Sequence, residues 1–489
     1  MSQNGSPPPP EGISSLLDTD LYKLTMQCAI LKYFPDVYVT YSFTNRTPQM
    51  KLTRGAYKWL LAQMDKLANI RVTDDEIAFL KKRCPYFNDA YLGFLTTFKL
   101  KPSEHIEIKF SPVNDTGSDD DFGDVEYIIK GLWLDTILYE IPLLALTSEA
   151  YFMFSDKDWD YSNQIDKAYR KGLKLLEHGC VFSEFGSRRR RDYHTHDLVM
   201  TGLSKAAKEA KNKGFKGVFT GTSNVHFAMK YDVNPVGTVA HEWYMTIAAI
   251  TDDYPNANEL ALRYWLGCFG EGVLGVALTD TFGTPAFLDA FRKPIPEYTS
   301  AGVGAVTMTA SGPSTTSDSN IQSEATTKPP ISAPISNNGT QLNHPTTYAQ
   351  AYTGIRQDSG DPTYFVHLAR EFYDKEGIKE KKTVVFSDSL NIELCLEYKI
   401  IAEEAGFQPV FGVGTFFTND YTNTSTGEKS KPLNIVIKIS TANGRPAVKL
   451  SDNMGKNTGD REKVQAVKKQ LGYIEQEWEQ GDESNRWSK

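Results

Sequence analysis

The sequence predicts a two-domain α/β protein, with a closed or nearly closed barrel of parallel strands and a second domain that contains antiparallel strands. A chain of 489 residues is too long for one ordinary hydrophobic core, which favours two domains. In its centre, seven short apolar runs each end in a polar, usually glycine-containing loop that a helix-length segment follows. Near the C-terminus, an Asn443-Gly444 turn between two apolar runs predicts a β-hairpin.

The N-terminal part begins with residues 1–13, a polar and proline-rich leader that we expect to be disordered. Apolar residues three or four apart then predict a helix over 14–34, and alternating apolar and polar residues predict a half-buried strand over 37–44. Further predicted elements are helices to about Thr97, strands over 105–110 and 125–133 around an acidic loop, and helices beginning near Asp135 and Asp158.

The predicted barrel is clearest in its last complete unit. The strand TVVFSDS leads into an amphipathic helix that ends at Ala405, Gly406 stops the helix, and PVFGVG forms the next strand. Such a crossover implies parallel strands. The alternative architecture is an open doubly wound sheet, and in both cases ligands bind at the carboxyl ends of the strands. The seven runs are VFSEFGS (181–187), GVFTGTS (217–223), PVGTVAH (235–241), VLGVALTD (273–280), YTGIRQDSG (352–360), TVVFSDS (383–389) and PVFGVGT (409–415).

The domain boundaries follow from these elements. We expect the barrel to span 151–424 and the second domain to combine 14–150 with 425–489, because the C-terminal hairpin is expected to join the N-terminal strands. Residues 300–346 interrupt the barrel. They are rich in Ser, Thr, Pro and Asn and contain no aromatic residue, so they cannot build a core and are expected to form a disordered insertion.

Composition argues against several classes of protein. A net charge of −8 provides no general attraction to nucleic acid or to an anionic membrane. The sequence contains no uninterrupted run of about 18 apolar residues, so no membrane-spanning helix is predicted. The five cysteines are widely spaced and odd in number, which predicts neither a disulfide framework nor a zinc knuckle. These features favour a reducing, cytosolic location, with the nucleus left open as a second compartment.

The motif GVGT follows the last predicted barrel strand directly. Gly412 and Gly414 allow backbone N–H groups to converge on a phosphate, and Thr415 adds a hydroxyl donor. Many strands end in a glycine turn, so the motif alone is a weak signal. Its position favours the functional interpretation, because phosphate sites recur at the last strands of such barrels.

The loops IRQDSGDP and SDS carry polar groups at two neighbouring strand ends. Arg356 offers a planar fork for a carboxylate or phosphate, and Asp358 can hold ribose hydroxyls or the shell of a magnesium ion. One such loop is equally well explained as a surface turn with an Arg–Asp pair. Two of them together favour a site, and the other candidates are Ser359, Ser387 and Asp388.

The motif EFGSRRRRD places four consecutive arginines after a predicted strand. A basic run alone is more often a solvated turn or a nuclear-import-like patch. Here Phe185 precedes the run, and an aromatic face beside guanidinium groups can hold a flat anionic ring. We expect one or two of the arginines to face the site, Arg188 first, and the others to face solvent.

The motif GTVAHEW places His241 just after a predicted strand, where it can act as a nucleophile or as an acid or base. Most of the eight histidines are expected to be surface or packing residues. HEWYM lacks the second histidine of H-E-x-x-H, so a zinc-protease site is not predicted. His194 and His196 could coordinate a metal but have no third ligand nearby in sequence, and the metal ligands are left open. Asp280, which ends another strand, is a candidate to hold the imidazole of His241 in one tautomer.

Taken in order, these motifs resemble those of the nicotinate phosphoribosyltransferase family, from Leu16 to about residue 480. The matching segments are TDLYKLTM, EFGSRRRRD, FTGTSNV, GTVAHEW, DTFGT, IRQDSGDP, FSDSLN, FGVGT and VKLSDNMGK. The resemblance implies an irregular α/β barrel beside an open β-sandwich-like domain, in a homodimer with sites shared between subunits. It also implies ATP-dependent synthesis of nicotinate mononucleotide from nicotinate and magnesium-bound phosphoribosyl pyrophosphate, a step in NAD salvage.

The resemblance assigns the nicotinate side of the site to five residues. Tyr22 and Phe185 are implied to sandwich the pyridine ring, with Tyr22 lent by either subunit. Arg356 and Thr238 are implied to bind nicotinate, with help from Arg188.

The resemblance also assigns the side that handles phosphates. Gly414 and Thr415 are implied to cradle the phosphate of phosphoribosyl pyrophosphate, and Asp358 to hold its ribose or magnesium. His241 matches the histidine that ATP phosphorylates, and Asp280 matches its acidic neighbour.

Three other functions are left open by the sequence. A quinolinate or nicotinamide enzyme on the same barrel is disfavoured because nicotinamide-using relatives carry aspartate where this chain has Ser223, and serine does not repel a carboxylate. A nucleic-acid-binding protein that uses residues 188–191 is disfavoured by the acidic total. A catalytically inactive sugar-phosphate binder is disfavoured because no residue needed for the chemistry is missing.

Overall fold

The computed structural model describes residues 11–296, 347–453 and 457–474. Two sheets organise the chain, one parallel with seven strands and one antiparallel with six. The predicted insertion and most of the predicted leader lie outside the described residues. The last leader residues are ordered: the Gly12 N–H donates to Glu149 Oε1 at 2.9 Å, and Ile13 is buried.

The strands alternate with helices through the middle of the chain. The strands are β1 Tyr38–Asn45, β2 Leu52–Thr53, β3 Ile106–Pro112, β4 Phe122–Leu132, β5 Val181–Glu184, β6 Val218–Thr222, β7 Asn234–Pro235, β8 Val276–Leu278, β9 Gly354–Gln357, β10 Thr383–Phe386, β11 Gln408–Val413, β12 Ile435–Ala442 and β13 Arg445–Pro446. The helices are α1 Leu21–Tyr33, α2 Arg54–Leu67, α3 Asp74–Arg83, α4 Asp89–Thr97, α5 Pro102–His105, α6 Trp133–Thr136, α7 Glu140–Phe154, α8 Gln164–Glu177, α9 Tyr193–Lys213, α10 Val225–Lys230, α11 His241–Thr251, α12 Tyr254–Phe269, α13 Thr284–Phe291, α14 Tyr348–Ala351, α15 Pro362–Lys375, α16 Ile392–Glu404, α17 Thr415–Thr418 and α18 Arg461–Leu471.

The seven parallel strands confirm the predicted α/β architecture. Their order is β7-β6-β5-β11-β10-β9-β8, and each of the seven predicted runs supplies one strand. The sheet curls into an irregular half-barrel. Its two edges approach each other where the Thr238 hydroxyl, just after β7, donates to the Val276 carbonyl of β8 at 3.2 Å. Within the described residues this side-chain contact links the two edges of the half-barrel, and no strand pairing closes it.

The antiparallel sheet joins the two ends of the chain. Its order is β13-β12-β1-β4-β2, with β3 paired to β4, so a C-terminal hairpin lies beside the N-terminal strand β1. Asn443 and Gly444 at the hairpin tip have φ values of 47° and 75°, which is the left-handed geometry of a tight two-residue turn. The predicted hairpin and its pairing are confirmed.

The first helix begins later than its apolar spacing predicts. Helix α1 begins at Leu21, and the preceding residues form turns with Asp20 in extended backbone at the helix N-cap. The carboxylates of Asp18 and Asp20 instead bond to loop residues of the parallel sheet, Arg190 and Ser187 respectively. These tertiary contacts outweigh the local helical pattern over 14–20.

Two predictions from composition can be compared with the structure. All five cysteines are free thiols, as expected. One stretch, Trp133–Phe154, is long and apolar enough by composition to cross a membrane, with a mean hydropathy of 1.3 over 18 residues. Because 78% of that window is buried inside the protein, it is accounted for as part of the core, where α7 packs against β2 and β12 of the antiparallel sheet.

Candidate active site

A cavity of about 160 Å³ lies at the carboxyl ends of the parallel strands. It brings together residues from α1, from the β5, β6, β9, β10 and β11 loops, and from the segment after β7. The predicted site residues that line it are Tyr22, Phe185, Arg188, Ser223, Thr238, Arg356, Asp358, Ser387, Asp388, Gly412, Gly414 and Thr415. The other three, His241, Asp280 and Ser359, lie behind Asp358.

The aromatic side of the cavity is built around Phe185. Its backbone N–H donates to the Val413 carbonyl at 2.8 Å, which holds the loop after β5 against β11. A Cβ on Gly412 would lie 2.4 Å from Cδ2 of the Phe185 ring, so the glycine is required for the ring to lie where it does. Tyr22, in the first turn of α1, lines the same cavity. Tyr22 and Phe185 of this chain therefore line one cavity.

Arg356 is held by three acceptors on the cavity wall. Its Nε donates to Ser387 Oγ at 2.8 Å, one Nη to Asp358 Oδ1 at 2.9 Å, and the other to the Val239 carbonyl at 3.2 Å. Ser387 Oγ also donates to Asp358 Oδ1 at 2.6 Å. Burial would raise the pKa of Asp358, but the Arg356 charge and the bond to His241 hold that pKa well below its usual range. Asp358 is therefore an anion at neutral pH.

His241 is the first residue of α11 and is 16% exposed. Its Nε2 lies 3.1 Å from Asp358 Oδ2 and 2.8 Å from Lys449 Nζ, and its Nδ1 lies 2.9 Å from Thr281 Oγ1. Asp280 Oδ1 lies 3.7 Å from Nε2, which is too far for a hydrogen bond. Thr281 and Asp358 orient the imidazole, which corrects the prediction that Asp280 does so.

Asp280 has a different partner. Its Oδ2 lies 3.1 Å from Lys449 Nζ and accepts a hydrogen bond from the Ser359 hydroxyl. Burial would raise the pKa of Asp280, but Lys449 and His241 lower it below its usual value. Asp280 therefore balances the charge of Lys449 beside the histidine.

The imidazole of His241 is neutral at pH 7. Burial and the nearby Lys449 ammonium lower its pKa to about 4, against the opposing effect of the carboxylates of Asp280 and Asp358. The two neighbours of Nε2 favour opposite tautomers, because the Lys449 ammonium can only donate a hydrogen bond and the Asp358 carboxylate can only accept one. In the tautomer that accepts from Lys449, Nε2 carries the lone pair and Nδ1–H points at Thr281. Such a nitrogen is a nucleophile.

One group among the described residues has the donor set of a metal site: His241, Asp280 and Asp358, whose ligand atoms all lie within 4.8 Å of one another. Lys449 Nζ lies between two of these residues, at 2.8 Å and 3.1 Å. Its positive charge occupies the position that a cation would take, so these residues do not fit a resident metal ion.

The four arginines after β5 divide between the cavity and the protein interior. Arg188 and Arg189 line the cavity, and the side chain of Arg188 is 45% exposed. Arg190 is fully buried and donates to both carboxylate oxygens of Asp18 at 2.7 and 2.8 Å. Arg191 is also fully buried, with its guanidinium 3.6 Å from the Phe152 ring centroid. The prediction that the later arginines face solvent is wrong, because their partners are distant in sequence.

Ser223 does not stand alone in the cavity wall. Its hydroxyl donates to Asp20 Oδ1 at 2.8 Å, and Ser187 donates to the same oxygen at 2.6 Å. Asp20 lines the cavity and is buried, and burial raises its pKa although the two hydroxyls act in the opposite direction. A carboxyl group is thus already present beside Ser223, which the sequence did not indicate.

The structure adds cavity and histidine contacts that sequence reasoning missed. Asp20 and Lys449 lie within the quoted motifs TDLYKLTM and VKLSDNMGK, so those motifs could have suggested them. Ser389, in the SDS loop, lines the cavity with φ 48°, a left-handed conformation that is uncommon for serine. Thr281 follows Asp280 directly in the motif DTFGT, so that motif could have suggested it in the same way.

Comparisons with known proteins agree with this geometry. Residues 17–148 match the nicotinate phosphoribosyltransferase N-terminal domain, and residues 180–303 and 306–475 match the nicotinate phosphoribosyltransferase family. A nicotinate phosphoribosyltransferase from Saccharomyces cerevisiae is 42% identical over 97% of this chain and 99% of the relative. A nicotinate phosphoribosyltransferase from Methanosarcina mazei is 36% identical over 93% of this chain and 97% of the relative.

Solved structures show the same likeness along the whole chain. A Saccharomyces cerevisiae crystal structure has a TM-score of 0.81 and 41% identity, and covers 95% of this chain and 99% of that chain. The structure of the nicotinate phosphoribosyltransferase from Porphyromonas gingivalis has a TM-score of 0.74 and 29% identity. The match covers 94% of this chain and 100% of that chain. The chain therefore belongs to the nicotinate phosphoribosyltransferase family.

Proposed function

We propose that the protein is an ATP-coupled nicotinate phosphoribosyltransferase that makes nicotinate mononucleotide for NAD salvage. The observation that carries this proposal is one cavity in which an aromatic pair, an arginine and a glycine loop meet, with a neutral histidine directly behind it. Two relatives that align over nearly the whole chain are nicotinate phosphoribosyltransferases, which supports the same activity.

Nicotinate suits the aromatic end of the cavity. Its flat ring fits between Tyr22 and Phe185, where stacking stabilises it. Its carboxylate is attracted by Arg188 and Arg356, and a hydrogen bond to a charged group contributes about 1.5–3 kcal/mol. Thr238 lies on the same wall, with its hydroxyl already donating to the Val276 carbonyl. Ser223, already bonded to Asp20, supports nicotinate over nicotinamide less strongly than its residue type alone suggests.

Phosphoribosyl pyrophosphate suits the opposite end. The segment Gly412–Thr415, where β11 leads into α17, presents backbone N–H groups to its phosphate. Asp358, Ser387 and Asp388 face its ribose, with Ser359 behind them. The pyridine nitrogen attacks C1 of the ribose while the bond from C1 to the pyrophosphate oxygen breaks. Charge develops on the ribose in this step, and the fixed carboxylate of Asp358 is placed to stabilise it.

His241 is the proposed phosphate acceptor. Its Nε2 lone pair attacks the γ-phosphorus of ATP, the bond to the bridging oxygen breaks, and ADP leaves. After product formation, water cleaves the phosphorus–nitrogen bond, which releases phosphate and restores the neutral imidazole. Lys449, 2.8 Å from Nε2, is placed to attract the incoming phosphoryl oxygens, and Asp280 holds Lys449.

The remaining partners follow from this chemistry and from the family. Magnesium arrives with phosphoribosyl pyrophosphate and ATP as part of the substrates. We expect a homodimer in the cytosol, with no role for nucleic acid or a membrane. The nucleus is left open as a second location.

Substrate competition tests the proposed specificity. With phosphoribosyl pyrophosphate and magnesium, the purified protein should convert nicotinate to its mononucleotide with release of pyrophosphate, and nicotinamide or quinolinate should react far more slowly. A preference for either of these over nicotinate would replace the proposed substrate. No pyrophosphate release with any pyridine would favour the inactive sugar-phosphate binder.

A further inference from the structure

Behind the cavity wall lies a cluster of charged side chains that the proposed reaction does not use. Its centre is Lys23, in the motif TDLYKLTM, and its carboxylates are Glu140 and Glu242. The side chain of Lys23 is 0% exposed, and those of Glu140 and Glu242 are 11% and 8% exposed. One buried ammonium thus lies between two largely buried carboxylates.

The contacts of Glu242 leave it little freedom. Lys23 donates to its Oε2, and its Oε1 accepts from the Tyr41 hydroxyl at 2.6 Å and from Trp133 Nε1 at 2.7 Å. Glu242 directly follows His241 in the first turn of α11. The backbone that carries His241 is therefore anchored by three donors on its next residue.

The contacts of Glu140 lead in the other direction. Its Oε2 lies 2.5 Å from Lys23 Nζ, and its Oε1 lies 3.8 Å from an Nη of Arg188, which lines the cavity. The Lys23 ammonium also lies 5.6 Å from the ring centroid of Tyr22. Lys23 is thus linked through one carboxylate to the histidine and through the other to the arginine.

Stability alone does not explain this arrangement. Burying three charges carries a large desolvation cost, and well-packed apolar groups of similar volume are often as stable or more stable. The positive charges of Lys23 and Arg188 balance the negative charges of Glu140 and Glu242. Such a balanced cluster fixes geometry, because each group has only one arrangement in which its charge is compensated.

We propose that Lys23 is a positioning residue that holds His241 through Glu242 and Arg188 through Glu140. One lysine then keeps the phosphate-accepting and the nicotinate-facing side chains in a fixed relation. This inference rests on the proposed function for the roles of those two residues.

Single substitutions that preserve side-chain shape can test the two connections separately. We call the connection from Lys23 to Arg188 the Glu140 branch and the connection from Lys23 to His241 the Glu242 branch. Glu140→Gln should raise the KM for nicotinate by about fivefold or more while the stimulation by ATP is kept. Glu242→Gln should reduce the stimulation by ATP by a similar factor while the KM for nicotinate stays near the wild-type value. Lys23→Met should change both.

A matched control is Lys382→Met. Lys382 is also a buried lysine, 5% exposed, but it lies at the amino end of β10, away from the cavity, and donates to the Tyr352 carbonyl at 2.8 Å. This variant should lower thermal stability and leave both kinetic quantities unchanged. If Lys23→Met does not fold, the two glutamine variants alone decide the matter.

Equal changes of both quantities in Glu140→Gln and Glu242→Gln, or a loss of thermal stability with unchanged kinetics, would overturn the positioning role. Wild-type protein without any ATP stimulation would instead refute the phosphohistidine proposal and remove the Glu242 branch. The Glu140 branch would still be judged by the KM for nicotinate.

Discussion

At His241, the physical chemistry of one side chain determines what the site can do. Burial and the Lys449 ammonium keep the imidazole neutral, with a pKa of about 4. A free histidine with a pKa near 6.5 is partly protonated at pH 6, and a protonated nitrogen cannot attack phosphorus. The site therefore keeps its nucleophile available well below neutral pH.

The rate of His241 phosphorylation should fall at acid pH as the imidazole is protonated, and we call this fall the acid limb. Replacing Lys449 by methionine should move the acid limb to higher pH. The lysine charge disfavours the imidazolium, so its removal raises the pKa of His241 toward about 6.5. The measurement is the initial rate of acid-labile phosphoenzyme formation against pH, scaled to each protein's plateau. Lys382→Met should leave the limb in place, and an unmoved limb in Lys449→Met would show that Lys449 does not control the titration.

Replacing Gly412 by alanine should displace the Phe185 ring. The added Cβ would lie 2.4 Å from that ring, so the ring must move out of the position in which it can stack on nicotinate. We expect the KM for nicotinate to rise by about tenfold, which corresponds to about 1.4 kcal/mol of lost binding.

The control for this variant is Gly93→Ala. A Cβ there would meet nothing within 4 Å, and Gly93 lies in helix α4, where alanine is favoured by about 1 kcal/mol. An unchanged KM for nicotinate in Gly412→Ala would contradict the stacking role of Phe185.

At the scale of elements, the segment that leads into α1 holds the loops of the parallel sheet together. Asp18 binds Arg190, the Leu21 N–H donates to the Ser223 carbonyl at 2.8 Å, and Thr25 Oγ1 donates to the Thr238 carbonyl at 2.6 Å. One short piece of chain therefore contacts the loops after β5, β6 and β7. This explains why the segment before α1 is not helical.

Replacing Arg190 by methionine should lower the free energy of unfolding by about 3–5 kcal/mol, because it leaves the buried carboxylate of Asp18 without its partner. Chemical denaturation at neutral pH measures the loss. Adding Asp18→Asn to the same protein removes the unpaired charge and should recover part of the stability. A loss below about 1 kcal/mol in the single variant would show that the pair is not a main anchor of this segment.

Sequence reasoning succeeded where a local pattern decides the structure. Each strand of the parallel sheet follows from an apolar run, and the polar residues after those runs meet because parallel strands end at one edge. Sequence reasoning failed where contacts between residues distant in sequence determine where a side chain lies. Nothing near Arg190 and Arg191 in sequence indicates that Asp18 and Phe152 bury them, and nothing near His241 indicates that Lys449 reaches it from the C-terminal segment.

At the scale of the whole molecule, the two ends of the chain and its centre form one functional unit. The C-terminal segment supplies β12 to the antiparallel sheet and Lys449 to the histidine, and the N-terminal segment supplies Tyr22 to the cavity. Neither sheet alone contains the full set of side chains that the proposed reaction requires.

Deleting residues 305–340 should leave activity and thermal stability nearly unchanged. The chain ends that flank this part are held together, since Pro294 pairs with Thr347 and the Tyr348 N–H donates to the Lys293 carbonyl at 3.3 Å. A shorter connection can therefore span the same two points, and loop length has only a weak effect on the closure entropy. Loss of product formation in a deletion variant that keeps its thermal midpoint would contradict this and assign the segment a functional role.

Formation of nicotinate mononucleotide, with and without ATP, in wild type and His241→Ala is the most direct test of the central proposal. The wild type should form product with phosphoribosyl pyrophosphate and magnesium, faster with ATP, and should carry an acid-labile phosphate. His241→Ala should lose both the stimulation and the phosphate while keeping its fold. Equal stimulation by ATP in the two proteins would contradict the role of His241, and no product under any condition would contradict the proposed activity itself.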